Sequence, residues 1–296
     1  MGLPDLHRHL DGSVRAETLS ELAAARGVAV PTGLPFTPGM GLAAALSRFA
    51  SILSLLDTAK AVRRVAAEIC EDAAADGVTT LEVRFAPQLH GRRLEAIVDA
   101  ALEGLDGRAG LILCVLYGEP PALAMKLAEV GATRGACGLD LAGAPLAQHD
   151  WSIESYAPAF RHAAEQGLGR TVHAGEGRPA SEIRTAIELL GAQRIGHGTS
   201  LLDDPSVRDL VRERGVTLEA CPTSNWHTGV IDAVGQHPLA AWLEQGIRAC
   251  INTDNTLLSA VQASEEHARA RQLPGMTDAL LERAIAHGHA AAFRRH

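Results

Sequence analysis

The sequence predicts an α/β fold, a TIM (β/α)8 barrel, on the basis of three observations. Short apolar runs with strand character alternate with amphipathic, alanine-rich stretches along all 296 residues. Eight such runs occur, and no linker or low-complexity tract divides them, so one domain over residues 1–296 is expected. Patches rich in His and Asp follow several runs directly, as catalytic side chains do at the carboxyl-terminal rim of a parallel barrel.

The eight strand candidates are separated by helical stretches, so consecutive strands should lie parallel in one closed sheet. In chain order the strand candidates are Pro4–His9, Thr79–Ala86, Gly110–Tyr117, Gly138–Leu141, Arg170–His173, Arg194–His197, Thr217–Ala220 and Arg248–Asn252.

The helical stretches repeat apolar residues with helical spacing, and several are followed by a glycine that suits a left-handed cap. They include Ala59–Asp76, Leu94–Leu105, Ile153–Gln166, Ala180–Leu190, Asp204–Arg214 and Leu239–Gln245. Two additions to a bare barrel are expected. Gly33–Leu56, after the first strand, is too long for a simple loop and predicts a helical lid, and Thr277–His296 predicts an extra C-terminal helix.

Composition excludes several classes of protein. Hydrophobic residues make up 47% and charged residues 21%, as in ordinary soluble proteins. A formal net charge of −8 argues against a general nucleic-acid or membrane-surface binder. The five cysteines form no Cys-x-x-Cys pair, which favours a reducing compartment over a disulfide framework. Because no apolar run is long enough to span a membrane, a cytoplasmic protein is expected.

Three histidines and one aspartate at predicted strand ends are candidate metal ligands. His7 and His9 are two residues apart on one strand and therefore project to the same face. A His-x-His pair alone is more often structural, but His173 ends the fifth strand and Asp254 follows the eighth. Three imidazoles and a carboxylate meeting at one point suit a divalent transition metal, with zinc as the default.

Two further residues are placed for proton transfer. Glu176 lies three residues beyond His173, on the loop above the rim, where it could give a proton to a substrate. His197 ends the sixth strand, and an ordinary pKa of about 6.5 suits it to take a proton from an attacking water. With a metal ion that makes hydroxide available at neutral pH, these groups predict a hydrolase that adds water to carbon and expels a leaving group.

Five segments together resemble the signatures of the adenosine deaminase family. They are His7–Gly12 (HRHLDG), His173–Glu176 (HAGE), Arg194–Gly198 (RIGHG), Cys221–Asn225 (CPTSN) and Asn252–Asp254 (NTD). A sixth, Asp140–Gly143 (DLAG), follows the fourth strand, and the order and spacing of the segments extend over the whole chain.

The resemblance implies a zinc ion, one per chain, with a water as its fifth ligand. The implied protein ligands are His7, His9, His173 and Asp254. Glu176 would protonate the purine N1, His197 would orient and deprotonate the water, and ammonia would leave from C6. The resemblance also implies that Asp140 orients a neighbouring side chain.

The resemblance also implies substrate contacts, with some departures from the family pattern. The backbone N–H of Gly143 would bond the purine N3, and Asp11 would face the ribose. Asn255 stands where many members have an aspartate, and its amide could donate to the purine N7. Ala144-Pro145 replaces a usual Asp-Glu pair, and Arg178 adds a cation near the mouth, which predicts tolerance of a negative group on the substrate.

Several alternatives stay open at this point. Adenosine is the default substrate by resemblance, and 6-aminodeoxyfutalosine, a benzoate-bearing nucleoside intermediate of menaquinone synthesis, is the main rival. Free adenine and N6-methyl-AMP are further options. An amidohydrolase that cleaves an amide or lactone is a different class, against which Glu176 and Gly143 argue. A non-catalytic binding protein is disfavoured because every expected ligand is present, and the cytidine-deaminase signature is missing. A monomer and a homodimer are both compatible with the sequence.

Overall fold

The computed structural model describes residues 2–91, 93–146 and 148–293, and within them eight parallel strands pair in chain order. The strands are β1 Leu3–His9, β2 Val78–Phe85, β3 Gly110–Leu116, β4 Gly138–Ala142, β5 Gly169–Ala174, β6 Arg194–His197, β7 Thr217–Ala220 and β8 Arg248–Ile251. Each predicted strand is confirmed to within one residue at either end. The fold is the predicted TIM barrel.

The ring is joined between its first and last strands by the residues that follow β8. The His9 N–H donates to the Asp254 carbonyl at 2.7 Å, and the Asp254 N–H donates to the His7 carbonyl at 2.8 Å. Below this bridge, the Asn252 side chain accepts from the backbone N–H of Leu6 at 2.9 Å. The seam of the barrel therefore lies directly at the candidate site.

Helices cover the outside of the sheet, and their buried faces form the apolar core with the outward side chains of the strands. They are α1 Ala16–Arg26, α2 Leu42–Leu53, α3 Ala59–Ala75, α4 Leu94–Leu105, α5 Pro121–Arg134, α6 Ala157–Glu165, α7 Ser181–Glu188, α8 Pro205–Arg214, α9 Pro222–His227, α10 Leu239–Glu244, α11 Ala263–Arg271 and α12 Asp278–Ala291. None of the helices in the described ranges is long and apolar enough to cross a membrane.

Both predicted additions to the barrel contain helices. Helix α2 lies within the predicted lid, and its Phe49 ring meets the His9 ring edge-on with 6.2 Å between centroids. Helix α12 packs across the opposite end of the barrel, where a Cβ on Gly288 would come within 2.5 Å of the Pro4 ring. Glycine therefore allows this close approach to β1. Residues 294–296 of the predicted C-terminal helix lie outside the described residues.

Candidate active site

The four predicted metal ligands converge at the carboxyl-terminal rim. The Nε2 atoms of His9 and His173 lie 3.3 Å apart. The Oδ1 atom of Asp254 lies 3.4 Å from His9 Nε2 and 3.7 Å from His7 Nε2. Donor atoms at 2.0–2.1 Å from a tetrahedral ion stand about 3.3–3.4 Å from one another, so these separations fit a transition metal such as zinc.

Two of the candidate ligands, His7 and His9, are in the neutral state that metal binding requires. Burial lowers the pKa of His7 well below its usual value and that of His9 to about 3, so both rings are neutral. The Nε2 atom of His7 is buried and has no hydrogen-bond partner among the described residues. A buried nitrogen that carries a lone pair and lacks a protein partner is suited to coordinate a metal ion.

A buried charged network orients two of these imidazoles from below. His7 Nδ1 lies 2.7 Å from Glu219 Oε2, and His173 Nδ1 lies 3.2 Å from Asp140 Oδ1. Arg84 joins the two carboxylates, donating to Asp140 Oδ2 and to Glu219 Oε2 at 2.9 Å each. The other nitrogen of each ring, Nε2, then faces the rim.

The sequence predicted this supporting role for Asp140 but not for Arg84 or Glu219. Arg84 and Glu219 are fully buried and lie on β2 and β7. A charged residue inside a predicted buried strand is the signal that could have found them, because such a group is rarely buried without a partner.

Two residues of the site have left-handed backbone conformations that non-glycine residues rarely adopt. His197 has φ 65° and Asp254 has φ 62°, each just beyond a strand or at its end. The glycine before His197 also matters, since a Cβ on Gly196 would come within 3.0 Å of His7 Cε1. Tight packing therefore holds the imidazoles in place.

The two predicted proton-transfer residues face each other across the site. His197 Nε2 lies 3.7 Å from Glu176 Oε2, and both side chains are buried. Burial raises the pKa of Glu176, which favours a carboxyl that holds its proton. Burial lowers the pKa of His197 to about 3, so the ring is neutral at physiological pH.

The thiol of Cys221 also approaches the site without being a predicted ligand. Its sulfur, a nitrogen of His7 and a carboxylate oxygen of Asp254 all lie within 4.8 Å of one another. Burial raises the pKa of Cys221 well above its usual value, so the thiol stays protonated. Because metals bind the thiolate, the imidazoles and the carboxylate are the better ligand set.

Two adjoining cavities open onto these groups. A cavity of about 60 Å³ reaches Glu176, His197, Gly143 and Asn255. A second cavity, of about 300 Å³, shares Gly143 with the first and is lined mostly by apolar side chains. We call these the inner cavity and the outer cavity. Lid residues from α2 line both of them.

The remaining predicted substrate residues, Asp11 and Asn255, present polar atoms without partners. Asp11 lines the outer cavity, its Oδ1 is buried without a hydrogen-bond partner among the described residues, and His90 Nε2 lies 3.8 Å from its Oδ2. Asn255 Oδ1 is likewise buried and unpartnered within the described ranges. A Cβ on Gly12 would come within 1.8 Å of that oxygen, so glycine makes room for the amide.

Arg178 does not line the substrate cavities, although the sequence predicted that it adds a cation near their mouth. Its Nε donates to Glu182 Oε1 at 2.6 Å, and the residue lines a separate cavity with Pro179 and Val230. The charge of Arg178 is therefore paired within the protein and is absent from the lining of the inner and outer cavities.

Comparison with known proteins agrees with this geometry. Residues 3–295 match the sequence model of the family described as adenosine deaminase. The chain belongs to the adenosine deaminase family. It is a hydrolase of the type that deaminates an amidine carbon.

The similarity to curated relatives covers most of this adenosine deaminase family member and most of each relative. The chain is 34% identical to adenosine deaminase of Serratia proteamaculans, with 98% of this chain and 93% of the relative covered. It is 36% identical to adenosine deaminase of Clostridium perfringens, with 88% and 85% covered.

Solved structures of similar proteins share the barrel. The Arabidopsis N6-mAMP deaminase is 25% identical with a TM-score of 0.87, over 99% of this chain and 94% of that one. An adenine deaminase from Arthrobacter aurescens is 24% identical with a TM-score of 0.89, over 99% and 94%, and shows likeness of fold.

Proposed function

We propose that this family member is a zinc-dependent deaminase of a 6-aminopurine nucleoside, with adenosine as the default substrate. The reaction adds water to C6, releases ammonia and leaves the 6-oxo product. The observation that carries the proposal is the placement of Glu176 and His197 across the inner cavity, beside four converging donor side chains. The proposed partner is the small-molecule purine nucleoside rather than a nucleic acid or a membrane, for a protein that is a monomer or a homodimer, and a cytoplasmic location is part of the proposal.

Zinc would be held by the four predicted ligands. These are His7, His9, His173 and Asp254, whose donor atoms have the spacing of a transition-metal site. When bound, such an ion would act as a Lewis acid and make water nucleophilic near neutral pH. The carboxylates of Asp140 and Glu219 keep the Nε2 atoms of His173 and His7 turned to the rim.

Protein groups donate the proton, orient the water and bind the purine ring. Glu176, whose pKa is raised by burial, donates a proton to the ring nitrogen beside the amino-bearing carbon. His197, on the opposite side, orients the attacking water. The Gly143 N–H and the Asn255 amide border the inner cavity, where they suit the N3 and N7 atoms of a purine.

The outer cavity bears on which nucleoside is used. The unpartnered Oδ1 of Asp11 accepts a hydrogen bond, which suits a ribose hydroxyl. Within the described residues, the outer cavity has no Lys or Arg in its lining. A 5′-phosphate would therefore lie near the Asp11 carboxylate with no Lys or Arg of the described lining to pair with it, which disfavours a nucleotide such as N6-methyl-AMP.

A second candidate substrate, 6-aminodeoxyfutalosine, is favoured by the apolar character of the outer cavity. Leu46, Leu53, Leu89 and Leu116 contribute to its wall, and a volume of about 300 Å³ leaves room for an aromatic ring beyond the ribose. With Arg178 paired to Glu182, the benzoate carboxylate of this substrate would have to reach solvent at the mouth.

The test measures ammonia release by zinc-loaded protein with adenosine, 6-aminodeoxyfutalosine and N6-methyl-AMP side by side. A kcat/KM for adenosine of roughly 10⁴–10⁸ M⁻¹s⁻¹ supports the first proposal. Fast turnover of 6-aminodeoxyfutalosine with poor use of adenosine moves the substrate to the second candidate. If none of the three is deaminated, the purine assignment is wrong, and an amide- or lactone-cleaving hydrolase becomes the better proposal.

A pair of variants tests the role of the outer cavity. Leu89 lies in its wall with 38% of its surface exposed, whereas Leu189 is 49% exposed at the end of α7. We expect Leu89→Glu to lower kcat/KM for 6-aminodeoxyfutalosine about 10-fold more than for adenosine, by repelling the benzoate. The matched change, Leu189→Glu, should affect neither substrate.

A further inference from the structure

One buried amide touches both predicted proton-transfer residues. Asn225, on α9, is fully buried, and its Nδ2 donates to Glu176 Oε1 at 3.2 Å. The same Nδ2 atom lies 3.1 Å from His197 Nδ1. A carboxamide nitrogen carries two hydrogens, so one can point to each neighbour.

The backbone around this amide is firmly held. The Asn225 N–H donates to the Cys221 carbonyl at 2.9 Å, and the Asn225 carbonyl accepts from the Val230 N–H at 3.0 Å. At the start of the same helix, the Thr223 N–H donates to the buried carboxyl of Glu266 at 2.7 Å. The amide therefore has a fixed position from which to orient its neighbours.

We propose that Asn225 is a positioning residue for the deamination, an inference that rests on the proposed function. Its amide occupies one side of each proton-transfer group and so decides which atom of that group faces the substrate. Glu176 Oε1 accepts from both Asn225 and Thr228, each at 3.2 Å, which leaves Oε2 facing His197 and the inner cavity.

The second consequence concerns the tautomer of His197. Since Asn225 Nδ2 can only donate, His197 Nδ1 accepts from it, and the ring carries its N–H on Nε2. That N–H points towards Glu176 Oε2, 3.7 Å away, across the place where water must attack. His197 thus meets the attacking water as a hydrogen-bond donor, so in this tautomer it orients the water, whereas the sequence predicted that it also takes the proton of the water.

Two substitutions at this position separate the parts of the proposal. Asn225→Leu keeps the approximate shape and removes both N–H donors, so kcat should fall about 10- to 100-fold while KM changes less than about threefold. Asn225→Asp also removes the donors and adds a charge beside Glu176, so its loss of kcat should be larger than that of Asn225→Leu. Wild-type kcat in Asn225→Asp or in Asn225→Leu would overturn the proposal.

Thr223→Val provides the matched control on the same helix. Thr223 is fully buried and anchors α9 to Glu266 and Arg269, and these partners are neither Glu176 nor His197. We expect this variant to lower thermal stability and to leave both kcat and KM close to the wild-type values. An equal loss of kcat in Thr223→Val would reduce Asn225 to a purely structural role and contradict the proposal.

A spectroscopic readout is independent of catalysis. In metal-free protein labelled with ¹⁵N-histidine, with His197 assigned by the His197→Gln variant, Nδ1 of His197 should be unprotonated and Nε2 protonated. In Asn225→Leu the two tautomers should both appear. A wild-type ring protonated on Nδ1 overturns the proposal even if adenosine is deaminated. The expected tautomer without turnover of any 6-aminopurine would instead reject the proposed function alone.

Discussion

His7 and Glu219 share a hydrogen bond of 2.7 Å between Nδ1 and Oε2 at the centre of the barrel. Both side chains are fully buried, and Glu219 also pairs with Arg84 and Arg194 at 2.9 Å and 2.7 Å. Arg84 also pairs with Asp140 and Arg194 also pairs with Glu82, so Glu219 belongs to a buried network of two arginines and three carboxylates that orients the imidazole. The shape of the metal site is therefore set partly by charges that never touch substrate.

We expect Glu219→Gln to lower the affinity for zinc by about 10- to 100-fold. A neutral amide accepts more weakly from His7 Nδ1, so the ring is a poorer donor and less firmly oriented. Zinc affinity measured by competition with a chelator checks this. Glu82→Gln is the control, because Glu82 is equally buried and pairs with Arg194. Equal losses in the two variants would contradict a specific role for Glu219.

We expect Glu176→Gln to lower kcat for ammonia release by about 10²- to 10⁴-fold, with the fold intact. Glutamine keeps the size of the side chain and can still meet Asn225 and Thr228, but it has no acidic proton to transfer. Glu182→Gln, which alters an acid paired with Arg178 outside the two cavities, should keep most of the activity. An active Glu176→Gln enzyme would remove Glu176 from the proposed mechanism.

We expect Gly196→Ala to weaken zinc binding and activity, because the new methyl group would stand 3.0 Å from His7 Cε1 and 3.4 Å from His173 Cγ. Displacement of a ligand by a few tenths of an ångström costs affinity at a rigid site. Gly235→Ala is the control, since a Cβ there has no neighbour within 4 Å. Zinc content after dialysis against a weak chelator measures the effect; an unchanged Gly196→Ala protein would show that the imidazoles can move.

We expect Glu266 to make the protein less stable as the pH rises. Burial raises the pKa of Glu266 to about 7, above its value in the unfolded chain. Its contribution is complete below about pH 4.5 and is lost between there and about pH 7, because ionisation then favours the unfolded state. The loss is on the order of 3 kcal/mol.

Urea unfolding at a series of pH values tests this contribution. Glu266→Gln should flatten the decline of the free energy of unfolding between about pH 4.5 and 7 relative to the wild type. The comparison isolates Glu266 because the other titrating groups are common to both proteins. Parallel pH curves for the two proteins would show that this carboxyl does not titrate in that range.

Much of the fold follows from local sequence signals. Buried parallel strands have side chains packed on both faces, so runs such as Gly110–Leu116 stand out from the amphipathic stretches around them. The ligand motifs were equally readable, because a barrel gathers all its strand ends at one rim. His7 and Asp254 needed only this rule to be placed together.

The supporting contacts were not predictable in the same way. Arg84 and Glu219 meet inside the barrel although 135 positions separate them, and their pairing depends on the register of distant strands. Arg178 shows the opposite error, since its position near a catalytic motif suggested a free cation, whereas an i,i+4 pair with Glu182 uses its charge. Local sequence does not reveal which neighbour a long side chain selects.

The hydrogen bonds that tie Asp254 to His7 and His9 have a consequence for how the molecule assembles. The donor set spans 247 positions from His7 to Asp254 and includes both edges of the sheet, so the complete site exists only once the first and last strands have met. Contacts this distant in sequence form late and slowly. The rate at which a refolding chain binds metal would thus report the rate at which the first and last strands of the barrel pair.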